Sequence, residues 1–164
     1  SKPLVVAVQG VCFTAGIELM LAGDIRVAAD DCRFGQIEIT RGLYPVGGAT
    51  IRFIQNIGWG NSMRYLLTGD ELGAQEALRL GLVQEVCSVG EQFELALDIA
   101  QRIARQAPLA VAQTLVSARA SLGAGGQQAM DQLIPDLLPM LDSEDFAEGV
   151  ASFLERRAAN FKGR

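Results

Sequence analysis

Two glutamates stand among apolar residues in the segment 15–39, AGIELMLAGDIRVAADDCRFGQIEI. Glu18 and Glu38 each have an apolar residue on both sides. Burying a carboxylate is costly unless something stabilises its charge, so each is either a solvated residue at the edge of a core or part of a site. Taken alone, Glu18 suits a solvated helix position, and Glu38 suits the outward position of an alternating strand. Together, two carboxylates that flank one water molecule could perform acid-base chemistry.

Residue counts exclude several other kinds of chemistry. The chain has no histidine, which removes Ser-His and Cys-His nucleophile pairs and most zinc sites. Acid-base work therefore falls to carboxylates, Lys, Tyr or Cys. The three cysteines form no CxxC pair, and their odd number argues against a disulfide framework. We therefore expect a reducing, cytoplasmic setting.

Length and charge limit the class of protein further. The 164 residues suit one domain or most of one, and 49% of them are hydrophobic, which is enough for a sizeable core. The net charge is −5 and no basic stripe is present, so nucleic acid is not an expected partner. No apolar run approaches the roughly 18 residues of a membrane span. The chain begins with Ser1 at a strand-like run, so we expect a processed or trimmed chain.

The elements that would position the two glutamates can be predicted from local patterns. The Val-rich run at 4–8 predicts a strand buried on both faces, and Thr14 is the predicted N-cap of a following helix. Glu18 would lie one turn into that helix, and Glu38 would follow a short strand. The predicted strands are 4–8, 24–29 and 32–35, and the predicted helix is 15–22.

The remainder predicts an α/β layer followed by a helical region. After a loop containing Pro45 we predict helices, a short strand at 83–86, Gly81 as a helix C-cap and, from Gly90 onward, helices alone. Pro135 and Pro139 should bend one late helix, and Ser143 should cap the last. The predicted domains are 1–89, an α/β core, and 90–164, a helical trimerisation region. The predicted helices are 50–57, 61–67 with Asn61 as cap, 74–80, 91–106, one from 108, 127–141 and 143 to about 158.

Three segments, in this order and spacing, resemble the enoyl-CoA hydratase/isomerase, or crotonase, superfamily. They are KPLVVAVQGVCFTAGIELMLAGDIRVAADDCRFGQIEI with GLYPVGGAT, then LLTGDELGAQEALRLGLVQEV, and finally EGVASFLERRAANFKGR. The resemblance implies a ClpP/crotonase spiral fold of β-β-α units followed by a C-terminal helical region. It also implies that this chain is the C-terminal two-thirds of that fold and that the N-terminal segment is absent from it.

The resemblance assigns roles to individual residues. The Ala15 N–H would stabilise the thioester oxygen as one half of an oxyanion hole, with Gly16 beside it. Glu18 would activate water for attack on Cβ of the substrate, and Glu38 would exchange a proton at Cα. The resemblance also assigns substrate binding to Gly16, Pro45, Val46, Phe161 and Lys162. Of these, Phe161 and Lys162 would reach the coenzyme A phosphates or their rim.

The chain departs from the family pattern at two places. Hydratases usually have a Gly-Gly-Gly run where this chain has Thr14, Ala15 and Gly16, and they usually have Gly where it has Val46. Dienoyl-CoA isomerases carry an acid at the position of Val46, so their mechanism is excluded. Monofunctional enoyl isomerases generally lack the equivalent of Glu18, so its presence favours hydration.

The predicted function is hydration of a 2-enoyl-CoA thioester to a 3-hydroxyacyl-CoA. The expected partners are an acyl-CoA substrate and further copies of the chain, as a homotrimer or hexamer. Coenzyme A would belong to the substrate, and the resemblance implies no metal and no redox cofactor. Two alternatives stay open: another crotonase-type isomerase or hydrolase, and a catalytically inert acyl-CoA-binding oligomer.

Overall fold

The computed structural model describes residues 2–42, 44–123 and 126–164, without the side chains of residues 126–130. These residues form two compact units. One unit is Leu4–Ile99, and the other contains Ala100–Arg164 together with residues 2–3. The roles assigned above to residues 1–89 and 90–164 stay predictions.

The first unit alternates strands and helices. Its strands are β1 (Val5–Val8), β2 (Val11–Phe13), β3 (Ile25–Ala29), β4 (Arg33–Gly35), β5 (Leu72–Gly73) and β6 (Glu85–Cys87). Its helices are α1 (Ala15–Met20), a 3-10 helix (Glu38–Arg41), α2 (Ala49–Ile57), α3 (Trp59–Thr68), α4 (Ala74–Leu80) and the first part of α5 (Gln92–Ala104).

The strands belong to two small sheets, and the first four strands alternate between them. The first sheet has the order β1-β3-β6 and is parallel throughout, with Ala7 paired to Val27 and Val27 paired to Glu85. The second has the order β2-β4-β5, in which β2 and β4 are parallel and β4 and β5 antiparallel. The chain therefore forms β-β-α steps, because β1 and β2 precede α1 and β3 precedes β4.

A single apolar core holds the first unit together. Side chains from both sheets and from four helices are removed from water, which is the main source of folding free energy. The largest of these fully buried apolar side chains are Phe34, Phe53, Ile17, Leu82, Val27 and Val83. One charged side chain is buried with them. Arg26, 4% exposed, donates to the carbonyl oxygens of Leu82 and Gly23 and to Asn56 Oδ1.

Several predicted elements are confirmed, and the structure corrects others. The sequence prediction missed β2, and the 3-10 helix replaces the strand position considered for Glu38. Thr14 is the N-cap residue of α1 as predicted, but its side chain makes no capping hydrogen bond. The predicted cap at Asn61 is wrong, since α3 begins two residues earlier and Asn61 Nδ2 donates to the Ile57 carbonyl.

The second unit is helical. It contains the end of α5, α6 (Pro108–Gly123), α7 (Gly126–Leu141) and α8 (Glu144–Glu155). Pro108 opens α6 as predicted, and Pro135 and Pro139 both lie inside α7. Ser143 caps α8, because its Oγ accepts the N–H of Phe146 at 3.1 Å. The predicted break at 121–128 includes residues 124 and 125, which lie outside the described residues.

In the described ranges, none of these helices is both long enough and apolar enough to cross a lipid bilayer.

Candidate active site

Two neighbouring parallel strands bring the segments of Glu18 and Glu38 to the same edge of a sheet. Phe13 at the end of β2 pairs with Gly35 at the end of β4. The chain continues from β2 into α1, which carries Glu18, and from β4 into the 3-10 helix that begins at Glu38. The Thr14 N–H donates to the Gly35 carbonyl at 2.9 Å and ties the two continuations together. The carboxyl end of parallel strands is where α/β proteins commonly place ligand sites.

The carboxylate of Glu18 lies at the N-terminus of α2. Its Oε1 accepts the backbone N–H of Ala49, the first residue of α2, at 3.2 Å. A free helix N–H and the helix dipole both favour a negative charge at this point. Glu18 itself is half-buried. This hydrogen bond orients the carboxylate inside the fold instead of leaving it extended into water.

Gly47 is the second residue that shapes the surroundings of Glu18. A Cβ atom on Gly47 would lie 2.6 Å from Cδ of Glu18 and would overlap the carboxylate. Gly47 also accepts a hydrogen bond at its carbonyl from Arg52 Nη1 at 3.1 Å. The absent side chain therefore leaves the space that the carboxylate occupies.

The turn into α1 is strained at Thr14. Its backbone has φ 50° and ψ −118°, a conformation that non-glycine residues rarely adopt. This is the position where the family pattern has glycine. The next residue, Ala15, is exposed and opens α1, so its N–H lies in the first turn of the helix. At Gly16, a Cβ atom would meet Cys12 Sγ at 3.5 Å, an ordinary contact, so space alone does not require glycine there.

Glu38 has different surroundings from Glu18. It is half-buried, and its buried Oε2 has no hydrogen-bond partner among the described residues. Nearby in the chain, Gln36 is only 2% exposed, and both polar atoms of its side-chain amide also lack a partner in that part of the chain. Buried polar atoms are normally paired, so three such atoms within three residues mark a place that suits a polar ligand, water or further protein.

The structure gives the two glutamates separate contacts. In the described ranges, no hydrogen bond joins Glu18 to Glu38. Their common feature is their position after the paired strands β2 and β4. The geometry therefore supports two acids at one sheet edge, and their joint action on a substrate stays a prediction.

The loop before α2 carries the other two predicted substrate-binding residues of this unit. Pro45 is buried, whereas the side chain of Val46 is 81% exposed. The loop continues through Gly47 into the helix whose N-terminus holds Glu18. Val46 therefore offers an apolar surface to solvent directly before Gly47, the residue whose missing side chain leaves room for the Glu18 carboxylate.

Thiol chemistry is disfavoured near this site. Cys12 and Cys32 are buried, and burial raises the pKa of each thiol to about 11. The Cys32 thiol also contacts the Val8 carbonyl oxygen at 3.2 Å. Because the reactive form of cysteine is the thiolate, neither thiol is an effective nucleophile at neutral pH.

Phe161 and Lys162 belong to the second unit. Phe161 is half-buried and lines an apolar cavity of about 460 Å³ with residues of α6, α7 and α8. The side chain of Lys162 is exposed. The backbone N–H of Lys162 donates to Asp145 Oδ1 at 2.6 Å. The predicted substrate-binding tail is therefore fastened to α8.

Sequence reasoning missed four residues that organise these regions. Gly47 leaves space for the Glu18 carboxylate, and the Ala49 N–H donates to it. The side-chain amide of Gln36 has no partner among the described residues, and Asp145 fastens the tail. Of these, Gln36 carried a sequence signal, since an amide in an apolar segment next to a candidate acid is unusual. The other three act through contacts between residues far apart in the chain.

Comparison with known proteins defines the class to which this fold and site belong. A family model described as Enoyl-CoA hydratase/isomerase matches residues 1–164. A crystal structure of a probable enoyl-CoA hydratase/isomerase from Mycobacterium abscessus has a TM-score of 0.97 and 52% identity, covering 99% of this chain and 63% of that one. The chain belongs to the enoyl-CoA hydratase/isomerase family, and the predicted α/β crotonase fold is confirmed.

The chain is also similar to curated relatives that are longer than it is. The 2,3-dehydroadipyl-CoA hydratase of Escherichia coli (strain K12) is 37% identical over 164 residues, which are 100% of this chain and 64% of the relative. Enoyl-CoA hydratase EchA19 of Mycobacterium tuberculosis is 35% identical over 164 residues, 100% of this chain and 62% of the relative. The chain thus spans less than two thirds of the length of these relatives.

Proposed function

We propose that the protein is an enzyme that adds water to a 2-enoyl-CoA thioester and forms a 3-hydroxyacyl-CoA. The observation that carries this proposal is the half-buried Glu18 carboxylate, oriented by the Ala49 N–H at 3.2 Å. An oriented carboxylate within a fold is what a general base needs in order to hold a water molecule. The family of the chain and the names of its relatives support the same reaction.

The proposed reaction divides the work among three groups. Glu18 orients the water and accepts its proton as the oxygen bonds to Cβ. The negative charge that develops on the thioester oxygen is stabilised by the Ala15 N–H, and losing one such donor typically costs about 2.7–4 kcal/mol. Glu38 delivers a proton to Cα. Water thereby supplies the hydroxyl at Cβ. Glu18 gains one proton and Glu38 gives one up, and no metal or redox cofactor takes part.

Binding and assembly complete the proposal. Pro45, Val46 and Gly16 contact the acyl thioester, and Phe161 and Lys162 contact the coenzyme A end. Lys162 suits phosphate because its exposed ammonium is a compact point charge. We propose a homotrimer or hexamer that acts in the cytoplasm, where the three unpaired cysteines remain reduced.

The test is to mix the complete protein with crotonyl-CoA and follow the loss of absorbance of the conjugated thioester. Glu18→Gln and Glu38→Gln should each lower kcat by about 10²–10⁴-fold, the usual contribution of a general acid or base. Glu71→Gln is the control, because Glu71 makes an exposed ion pair with Arg33 in the same unit. Wild-type rates in both active-site variants would refute the two-glutamate mechanism.

Two observations favour the second candidate, a member with a different role toward acyl-CoA. Strained Thr14 and exposed Val46 stand where the family pattern has glycine. An isomerase or hydrolase would leave crotonyl-CoA unhydrated but would move a double bond or release free coenzyme A. An inert binder would bind butyryl-CoA in calorimetry and show none of these reactions.

A further inference from the structure

The best-organised polar contact of the second unit joins α8 to residues 157–164, here called the C-terminal tail. Asp145, in the first turn of α8, is only 3% exposed. Its Oδ1 accepts the N–H of Lys162 at 2.6 Å, and its Oδ2 accepts the N–H of Gly163 at 2.9 Å. The Asp145 N–H in turn donates to the Arg164 carbonyl at 3.2 Å. Asp145 thus holds three consecutive residues of the tail, two through its buried carboxylate and one through its backbone N–H.

A second carboxylate holds the tail one helical turn further along α8. Glu148 Oε1 accepts the N–H of Asn160 at 2.7 Å. Both oxygens of Glu148 also accept hydrogen bonds from the Arg157 guanidinium, at 2.5 and 2.9 Å. Residues three apart on a helix share a face, so Asp145 and Glu148 form one clamp along the tail.

The backbone of the tail is shaped to meet Asp145. Gly163 has φ +77°, the left-handed region that favours glycine, and this turn lets two successive N–H groups converge on one anion. A buried carboxylate is costly unless it is fully hydrogen-bonded, and these N–H groups meet that need. The clamp therefore fixes the position of the backbone at Lys162 while leaving its side chain exposed.

The two residues before Gly163 point to different surroundings. Phe161 lines the apolar cavity of the second unit and lies near Gly149 of α8, where a Cβ atom would meet Phe161 Cε1 at 3.8 Å. Lys162 lies beside a groove that it lines together with residues of α8. Anchoring the aromatic ring on one side and the backbone on the other restricts where the Lys162 ammonium can reach.

We propose that Asp145 is a positioning residue for substrate binding, which holds the Lys162 backbone so that the ammonium group meets a phosphate of the acyl-CoA. This inference rests on the proposed function, because it takes the Lys162 contact with the coenzyme A end from there. Asp145 itself touches no substrate. Its effect should be confined to the phosphate-bearing part of the ligand.

The experiment measures binding by calorimetry in the complete protein, with Asp145→Asn as the main variant. Asparagine keeps the shape but turns one acceptor into a donor that faces a backbone N–H. The two ligands are butyryl-CoA and butyryl-pantetheine, which lacks the coenzyme A phosphates. We expect Kd for butyryl-CoA to rise about tenfold, and Kd for butyryl-pantetheine to stay the same. In turnover of crotonyl-CoA, KM should rise and kcat should not change.

Two further variants separate positioning from general stability. Lys162→Ala should reproduce the loss, and the double variant should be no worse than Lys162→Ala alone, because both changes remove the same contact. Glu144→Gln is the matched control, since it removes a charge from the same helix turn but Glu144 contacts the Arg164 side chain, not a tail N–H. It should bind butyryl-CoA like wild type.

Equal weakening of both ligands, additive losses in the double variant, or unchanged binding by Asp145→Asn would overturn the inference. Should Asp145→Asn fail to fold, Gly163→Ala tests the same clamp by straining the turn, and it must show the same selective loss. Absence of hydration with selective loss of butyryl-CoA binding refutes the proposed reaction and keeps the inference. Normal hydration with unaffected butyryl-CoA binding in Asp145→Asn refutes the inference and keeps the proposed reaction.

Discussion

Glu18 occupies the N-terminus of α2 with its own side chain, since its Oε1 accepts the Ala49 N–H at 3.2 Å. Gly48, the residue directly before α2, has no side chain that could cap the helix. The Glu18 carboxylate, which belongs to α1, takes this capping role. The candidate general base and the stability of α2 are thereby linked. Changes on either side of this contact should alter both.

Adding a methyl group at Gly47 should displace the Glu18 carboxylate. In Gly47→Ala, the new Cβ would lie 2.6 Å from Glu18 Cδ, and the flexible end of the glutamate can move aside. We expect the variant to fold and its hydration kcat to fall about 10–100-fold, less than for removal of the base itself. Steady-state kinetics with crotonyl-CoA and circular dichroism measure the two effects.

Gly60→Ala is the control for this change. Gly60 lies inside α3, and a Cβ atom there would meet nothing within 4 Å in the described ranges. Alanine in a helix is favoured over glycine by up to about 1 kcal/mol, so this variant should gain stability and keep its activity. Equal kcat in Gly47→Ala and wild type would contradict the role given to Gly47.

Replacing the strained residue before α1 should stabilise the protein. Thr14 has φ 50°, and holding a non-glycine residue in such a conformation costs about 1–3 kcal/mol. Thr14→Gly should therefore raise the free energy of unfolding by about 1 kcal/mol, as measured by urea denaturation. Thr50→Gly, inside α2, is the comparison and should lower it. A loss of stability in Thr14→Gly would show that the turn is not strained.

The buried Arg26 should be among the most sensitive positions of the first unit. Its guanidinium supplies three acceptors from 2.7 to 3.0 Å away, including the carbonyl oxygens of Leu82 and Gly23. Arg26→Met leaves them without this donor, and we expect a loss of about 3 kcal/mol in unfolding free energy. Arg33→Met removes an exposed ion pair and should cost less than about 1 kcal/mol. Similar losses in both variants would contradict this interpretation.

The contact between Glu148 and the tail should make the second unit sensitive to acid. Hydrogen bonds from the Arg157 guanidinium and from the Asn160 N–H lower the pKa of Glu148 from 4.5 to about 2. Because the folded pKa lies below the unfolded one, this stabilisation is complete above pH 4.5 and is lost as pH falls through about 2. Limited proteolysis of the tail should therefore accelerate over that interval.

Glu148→Gln tests the source of that acid sensitivity. The variant should release its tail more readily at neutral pH and should lose the part of the pH dependence between 4.5 and about 2. Glu71→Gln, which changes an exposed acid of the first unit, should keep the wild-type profile. An unchanged profile in Glu148→Gln would assign the acid sensitivity to other groups.

Elements with a strong local signal could be predicted from the sequence. The Val-rich run gave β1, Gly81 in the left-handed conformation ends α4, and Ser143 caps α8. Elements without such a signal were missed or misplaced. The three residues of β2 are too few for a periodic pattern, and they form a strand because β4 lies beside them. Asn61 resembles a cap, yet Trp59 already belongs to α3.

At the site, the two candidate catalytic acids could be predicted from the sequence, but the residues that position them could not. Glu18 and Glu38 were found from their apolar surroundings and from the family resemblance. The space left by Gly47 and the donor at Ala49 have no local pattern, because they depend on how α2 packs against α1. The same holds for Asp145, which in sequence is an ordinary acid in the first turn of a helix and in the structure fastens the end of the chain.

The strand order of the parallel sheet governs when this fold can be completed during synthesis. The central strand β3 pairs with β1 soon after both have left the ribosome, but its other partner, β6, follows α2, α3 and α4. Until Glu85–Cys87 emerges, one side of β3 presents unpaired backbone groups, which are a template for pairing with another chain. Nascent chains that stall between residues 29 and 85 should therefore be the aggregation-prone species of this protein, and chaperones should engage them there.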